Sequence, residues 1–177
     1  SDGLKLTSDT SGEIQLQSAG TTIATVDSTG ITMASGKLIA STGPAFRATA
    51  DGSAQTISAS TYTKILYPTE VFDTNSDYDA ATSVFTPTVA GYYQVSGNIY
   101  IAGSQSRTIL ALFKNGALYN YMSDTSVAMT NFTNSGSDLV EMNGTTDNIA
   151  VYVYTSQTSI GGPATRLWFS AHLARVA

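Results

Sequence analysis

Apolar residues in this chain never run long. They come as short alternations cut by Gly, Ser, Asn and Asp, a pattern that belongs to strands and turns. The clearest case lies between Tyr92 and Ala102. There Tyr93, Ile99 and Ile101 alternate with Tyr92, Gln94, Ser96, Asn98 and Tyr100. A period of two puts these sets on opposite faces of one strand, and the first set is expected to fill a core. Charged residues make up 12% of the chain, about half of the ~25% usual in soluble domains. The Glu, Lys and Arg that exposed helices carry are therefore scarce, whereas Thr, Val, Ile and Tyr suit a pleated surface. The expectation is an all-β protein. Its 177 residues, 42% of them apolar, allow one compact domain with an appendage or one large sandwich.

Residues 1–43 hold no Trp, Tyr or Phe. Apolar pairs recur there every eight to ten residues: Leu4 and Leu6, Ile14 and Leu16, Ile23 and Val26, Ile31 and Met33, Leu38 and Ile39. Ser11-Gly12, Ala19-Gly20, Thr29-Gly30 and Ser35-Gly36 separate them. Each strand offers too few apolar side chains for a core of its own, and a lone hairpin is marginal in water. Strands from several chains wound into a stalk would bury them. A polar linker without structure is the other reading. The opening Ser1-Asp2-Gly3-Leu4-Lys5 is not expected to act as a signal peptide.

From Pro44 onward the strands become aromatic. They are expected at Ala45–Ala50, Lys64–Phe72, Ser83–Thr86, Tyr92–Ala102, Thr108–Phe113, Ala117–Met122, Leu139–Met142, Asn148–Thr155 and Arg166–Val176. Lys114-Asn115-Gly116 joins two of them, and Asn-Gly is a strong hairpin signal. About nine short strands separated by turn signals point to a sandwich or jelly roll.

The segment 44–177 resembles the globular head of complement component one-q, which shares the tumour-necrosis-factor jelly roll. The resemblance rests on Ala45-Phe46, Val71-Phe72-Asp73 with Asn75 and Tyr78-Asp79, and Phe85-Thr86-Pro87 leading to Gly91 and Tyr93. It continues through Leu112 with Lys114-Asn115-Gly116, Asp147-Asn148-Ile149 with Val151, and Phe169-Ser170 with Leu173. Thr146, Val95 and Ala171 depart from the family pattern without disturbing the order. No Gly-X-Y period precedes Pro44, so a collagen stalk is not expected. Residues 1–43 look instead like the β-structured shaft of a bacteriophage tail fibre. The resemblance implies a homotrimer: a jelly-roll head at 44–177 on an intertwined β-stranded stalk at 1–43. It also implies that the closing strand is central in the inner sheet. Phe169 and Leu173 then enter the sandwich, while Trp168, His172, Tyr92 and Tyr100 face neighbouring subunits at the trimer interface.

The formal net charge is −5 and no basic run occurs, so nucleic acid is not an expected partner. No apolar stretch approaches the ~20 residues that span a bilayer, so membrane insertion is not expected. Catalytic chemistry finds little to use. Cysteine is absent, and His172 is the one histidine, read as an interface or core residue. A polysaccharide depolymerase would need two facing carboxylates, and Glu13, Glu70 and Glu141 are the only glutamates. Asp73-Thr74-Asn75-Ser76-Asp77-Tyr78-Asp79 alternates oxygen ligands, but Tyr78 and Val84 stand where a calcium loop needs Gly and Glu. A solvated turn is the expectation, with no metal and no cofactor.

Four stretches read as exposed loops: 51–61, 103–107, 123–137 and 156–165. The third is longest and lies near Tyr119 and Tyr121, so Tyr119, Tyr121, Asn131, Phe132 and Asn134 are the candidate ligand-binding residues. Aromatic rings beside amides suit a sugar, though a core role for the rings fits equally. The leading functional reading is the distal receptor-binding part of a phage tail fibre. It would be displayed outside the cell on a virion made in the host cytoplasm, and would attach to a bacterial surface saccharide or outer-membrane component. A structural trimerisation head without a ligand is the alternative, and an enzyme the weakest.

Overall fold

Short alternations fold into sixteen strands among the described residues. A computed structural model describes residues 12–28, 30–35 and 43–177, and the chain divides into two units, Ser1–Ser41 and Thr42–Ala177. Leu4, Leu6, Leu38 and Ile39 lie outside the described residues. No helix occurs among those described.

In the first unit, β1 (Ile14–Ser18), β2 (Thr21–Asp27) and β3 (Gly30–Met33) form an antiparallel meander. Ala19 and Gly20, at φ 49° and 76°, make the two-residue turn between β1 and β2, the geometry that matches strand twist. The apolar pairs read from the sequence sit on these strands, yet Leu16 and Ile31 stay exposed and only Ala24 is buried. The pairing is within one chain, and it leaves Ile14, Ile23, Val26 and Met33 only half-buried.

The second unit holds β4 (Ala45–Thr49), β5 (Gln55–Thr56), β6 (Thr63–Lys64), β7 (Thr69–Asp73), β8 (Tyr78–Asp79), β9 (Val84–Phe85), β10 (Gly91–Gln105), β11 (Thr108–Lys114), β12 (Ala117–Thr125), β13 (Met129–Met142), β14 (Ile149–Thr155), β15 (Ser159–Ile160) and β16 (Trp168–Val176). A five-stranded sheet in the order β13-β10-β16-β4-β7 packs on a six-stranded one, β12-β11-β14-β9-β8 with β6 on β14. This is an antiparallel jelly-roll sandwich. Its core centres on Phe46, Tyr67, Tyr78, Phe85, Tyr93 and Phe169. Phe46 stacks on Tyr78 at 4.5 Å and Phe85 at 4.6 Å, and meets Phe169 edge-on at 4.8 Å. One ring on β4 thus ties β16 of its own sheet to β8 and β9 of the other.

Two expectations need correction. The strand expected at Lys64–Phe72 is two pieces, β6 in one sheet and β7 in the other. Residues 65–68 cross between the sheets with their amides held mainly by side chains: Leu66 N donates to Gln55 Oε1 and Tyr67 N to Ser83 Oγ. Pro68 has no amide to give a ladder. The loop expected at 123–137 is mostly strand: β12 continues to Thr125 and β13 begins at Met129. β13 pairs with β10 along almost its whole length, from Gly91↔Met142 to Gln105↔Met129. Its inward positions include Asn134, Gly136 and Asp138, so no apolar alternation marked it as a strand.

β12 and β13, at one edge of each sheet, close the sandwich side by side. Ser123 Oγ donates to Asn134 Oδ1 at 2.6 Å and Asn120 Nδ2 to Asp138 Oδ2 at 2.9 Å. Two bulges in β12 leave Tyr119 and Met122 as extra residues, and Met122 packs partly buried against the core. A Cβ on Gly136 would fall 2.3 Å from the Met122 carbonyl oxygen, whereas one on its ladder partner Gly97 would meet nothing nearer than Val151 Cγ2 at 3.5 Å. Gly136→Ala is therefore expected to destabilise the head by roughly 3 kcal/mol, and Gly97→Ala to change it by less than about 1 kcal/mol. Urea unfolding of the two variants checks the contrast. Equal midpoints would refute the close approach of β12 to β13.

Candidate functional site: two aromatic faces and a distal loop cluster

Period-two alternation in β10 turns Tyr92, Gln94, Ser96, Asn98 and Tyr100 away from the core. Ladder register sets Trp168, Ser170 and His172 beside Asn98, Ser96 and Gln94. On the other side, Thr133, Ser135, Ser137, Leu139 and Glu141 line up with Tyr100 through Tyr92. The four residues read from the sequence as interface candidates, Tyr92, Tyr100, Trp168 and His172, thus share the outer face of the five-stranded sheet. Phe169 is fully buried on the other face, with Leu173 packed at the core's edge. The Arg47 guanidinium lies 4.8 Å from the Trp168 ring centre, and that of Arg166 lies 4.6 Å from Tyr100. At one end of the face, Tyr92, Leu139, Arg175 and Val176 line a depression of about 450 Å³. Leu139 is 52% exposed and Val176 60%. The face is broad and mixes aromatic rings and small serines with the charges of Arg47, Arg166, Glu141 and Arg175.

The ends of the sandwich differ. At one, Leu173 N donates to Pro44 O at 2.9 Å and Ala177 N to Ala90 O at 3.3 Å, so residues 44 and 177 sit together. At the other, loops bond to one another. β5 pairs with β15, Gln157 Nε2 donates to Ser104 O, and Ser104 Oγ meets Thr130 Oγ1 at 2.7 Å. Of the stretches read as loops, 51–61, 103–107 and 156–165 have parts in this distal cluster, together with the tip of the β12–β13 hairpin at 126–128.

The ligand-binding candidates do not come together as one surface. Asn134 is 4% exposed, bonded to Ser123 and through Nδ2 to Thr108 O at 3.4 Å. It is a buried link across the sandwich edge and cannot meet an outside ligand. Phe132, on the same inward face of β13, packs against the core. Asn131, at φ 56°, takes an amide hydrogen from Gly103 at 2.9 Å and serves the distal loops. Tyr119 and Tyr121, 47% and 44% exposed, are on β12, the outer strand of the other sheet.

Around Tyr121 lies an aromatic cluster that the sequence reading missed. Phe113 on β11 and Tyr152 on β14 stack at 3.9 Å. Tyr62 sits 5.4 Å from Tyr154, 5.6 Å from Phe113 and 6.3 Å from Tyr121. Its hydroxyl donates to that of Tyr121 at 2.9 Å. Local backbone fixes Tyr62: Ser60, at φ 55°, donates its amide to Thr155 O, and Thr63 and Lys64 pair with Val153 and Tyr152. Burial, then the Tyr121 hydroxyl, push the Tyr62 phenol up to about 12. Beside the rings, Arg107 clamps Asp124 in a two-pronged pair at 3.1 and 2.7 Å, which holds the Asp124 carboxyl below its usual range. A signal was available: Tyr152 and Tyr154 alternate with Val151 and Val153, which places them on the outer face. Tyr62 lies outside any regular alternation.

The two glutamates of the second unit are not placed as a glycosidase pair. Glu70 on β7 and Glu141 on β13 occupy opposite edges of the five-stranded sheet. Four strand spacings, about 19 Å, separate them, against the roughly 5–10 Å that a glycosidase pair requires. In the 73–79 turn, Asp73 accepts the amides of Asn75 and Tyr78 at 3.1 and 2.7 Å. Asp79 accepts the Ala81 amide and the Thr82 hydroxyl at 2.9 and 2.6 Å. These carboxylates cap backbone amides. Among the described residues no three His, Cys, Asp or Glu side chains group as metal ligands would.

The two sheets and their order define an antiparallel jelly-roll domain. No family model and no curated protein matches the sequence. Solved structures match by shape. A crystal structure of murine APRIL gives a TM-score of 0.57 at 8% identity, covering 74% of this chain and 98% of that one. Eiger TNF from S. frugiperda gives 0.53 at 13% identity, covering 76% of this chain and 94% of that one. The globular domain of zebrafish complement 1qA scores 0.49 at 15% identity, covering 76% of this chain and 99% of that one. At these identities the likeness to APRIL and Eiger TNF establishes the fold alone, and function has to be argued from the residues.

Proposed function

We propose that this chain is the distal receptor-binding part of a bacteriophage tail fibre, a homotrimer outside the cell that attaches a virion to its host. The outer face of the five-stranded sheet carries the reading. It exposes Tyr92, Leu139 and Val176 in water at one end, beside a middle of Ser96, Ser137 and Ser170 that lets another surface come close. A second copy of the chain covers that face. The apolar repeats of residues 1–43 support a stalk that gains from partner chains, because Leu16 and Ile31 stay exposed and Ile14, Ile23, Val26 and Met33 are only half-buried. The head supports display: residues 44 and 177 occupy one end and the loop cluster the other, as a rigid scaffold presenting loops would have them.

Light scattering should find a trimer at micromolar concentration, and fluorescently labelled protein should adsorb to host bacteria. Ser96→Arg places a charge in the middle of the covered face and should yield monomers with unchanged circular dichroism and lost adsorption. A parent protein that is monomeric and well folded would refute the assembly. A trimer that adsorbs to no host strain would favour a structural head without a ligand.

A further inference from the structure

We propose that the tyrosine cluster on the outer face of β11, β12 and β14 is a binding face for a neutral pyranose saccharide. The inference rests on the receptor-binding reading and gives it a place and a ligand class. Three adjacent strands supply Phe113, Tyr121, Tyr152 and Tyr154, and the segment entering β6 supplies Tyr62. Beneath them Ile109 and Ala111 point outward from β11 and are nevertheless buried, so the rings also roof a small apolar layer. Roofing does not account for the remainder. Tyr119 and Tyr121 still leave nearly half their surface in water, where a strand on a soluble face would ordinarily carry Ser or Thr.

Aromatic surface with hydroxyl tips fits a sugar. The axial C–H groups of a pyranose lie against the electron-rich face of a ring, and Tyr brings that area at low conformational cost. Directional groups stand beside the rings. The Tyr62 and Tyr121 hydroxyls are already bonded to each other, and Asp124 is held by Arg107 with Ser126 Oγ also turned toward it at 3.4 Å. Charge selects the class. Asp124 is taken by Arg107, the chain's formal net charge is −5, and Lys64, across the ladder from Tyr152, is the cation left beside the rings among the described residues. An acidic sugar meets that one lysine on a chain of net negative charge, whereas a neutral sugar needs no counter-ion. The surface is open, so a single contact is expected to bind with a Kd on the order of millimolar. Three copies on one fibre would raise avidity by roughly 10²–10⁴-fold.

The test uses the full chain, saturation-transfer NMR and a panel of probes: methyl glucopyranoside, methyl galactopyranoside, N-acetylglucosamine and, as acidic comparator, sialic acid. At least one neutral probe should bind and sialic acid should not. Tyr121→Phe keeps the roof and removes the hydroxyl pair, and should weaken binding several-fold. Tyr119→Ser with Tyr121→Ser should weaken it at least tenfold, with the oligomer unchanged by light scattering. Failure of every neutral probe, binding of sialic acid alone, or variants that bind as the parent does would each overturn the site. Adsorption to bacteria separates the two ideas. Variants that adsorb as the parent does remove the site and leave the receptor reading standing, whereas a parent that adsorbs to no host removes the receptor reading itself.

Discussion

Phe46→Ala should lower the stability of the head by roughly 3–5 kcal/mol, the range for emptying a buried aromatic site. Small domains have only about 5–15 kcal/mol in total. Phe46 is 1% exposed and touches the rings of Tyr78, Phe85 and Phe169 within 5 Å. Because these rings come from both sheets, the substitution removes burial and also the aromatic pairs that hold the layers in register, each worth about 0.5–1.5 kcal/mol. Urea unfolding at fixed protomer concentration measures it, since assembly adds its own concentration-dependent stability. Val127→Ala, at the exposed hairpin tip, is the control and should change nothing measurable. Equal midpoints for both variants would mean that the core is centred elsewhere.

High pH should unfold the protein steeply. Burial pushes the hydroxyls of Tyr78 and Tyr93 up to about 12 and that of Tyr67 well above its usual value. Tyr78 donates to Tyr67 O and Tyr93 to Val89 O, both at 2.8 Å, bonds that only the neutral phenol can make. A pKa raised on folding means that the unfolded chain releases the proton first. The stabilisation is complete below about pH 10 and is lost as pH rises from there through about 12. At about pH 11, Tyr78 alone accounts for ~1.4 kcal/mol, with Tyr67 and Tyr93 acting in the same direction. Absorbance at about 295 nm should show a late cooperative step of phenol ionisation that coincides with loss of near-ultraviolet dichroism. Smooth titration of all ten tyrosines near 10 in the folded protein would contradict the burial of these three.

What the sequence made legible follows from where apolar residues could show a period. β10 announced itself because Tyr93, Ile99 and Ile101 keep step inward while Gln94, Ser96 and Asn98 keep step outward, and the outer face with Trp168 and His172 followed from it. β13 did not, because polar contacts fill its inner side: Asn134 is satisfied by Ser123 and Thr108, and Asp138 by Asn120. A buried polar residue with partners in place looks, in one dimension, like a loop residue. Among the sugar-binding candidates, chain order hid which side of its strand each residue takes. Asn134 and Phe132 turn inward, while Tyr121 turns toward Tyr62, 59 residues away in sequence. Such a meeting is visible only once β6 is known to pair with β14.

The position of Pro44 decides how the head bears load. β4 runs from the end where Pro44 lies toward the loops, and it is flanked on both sides by hydrogen-bonded neighbours, β16 and β7. Tension between Pro44 and the loop end acts along β4. The ladder bonds from Ala45 to Thr49 are then sheared together, where a pull across the strand would open them one after another like a zip. A head held by that residue and gripped by its loops yields only when both ladders let go at once.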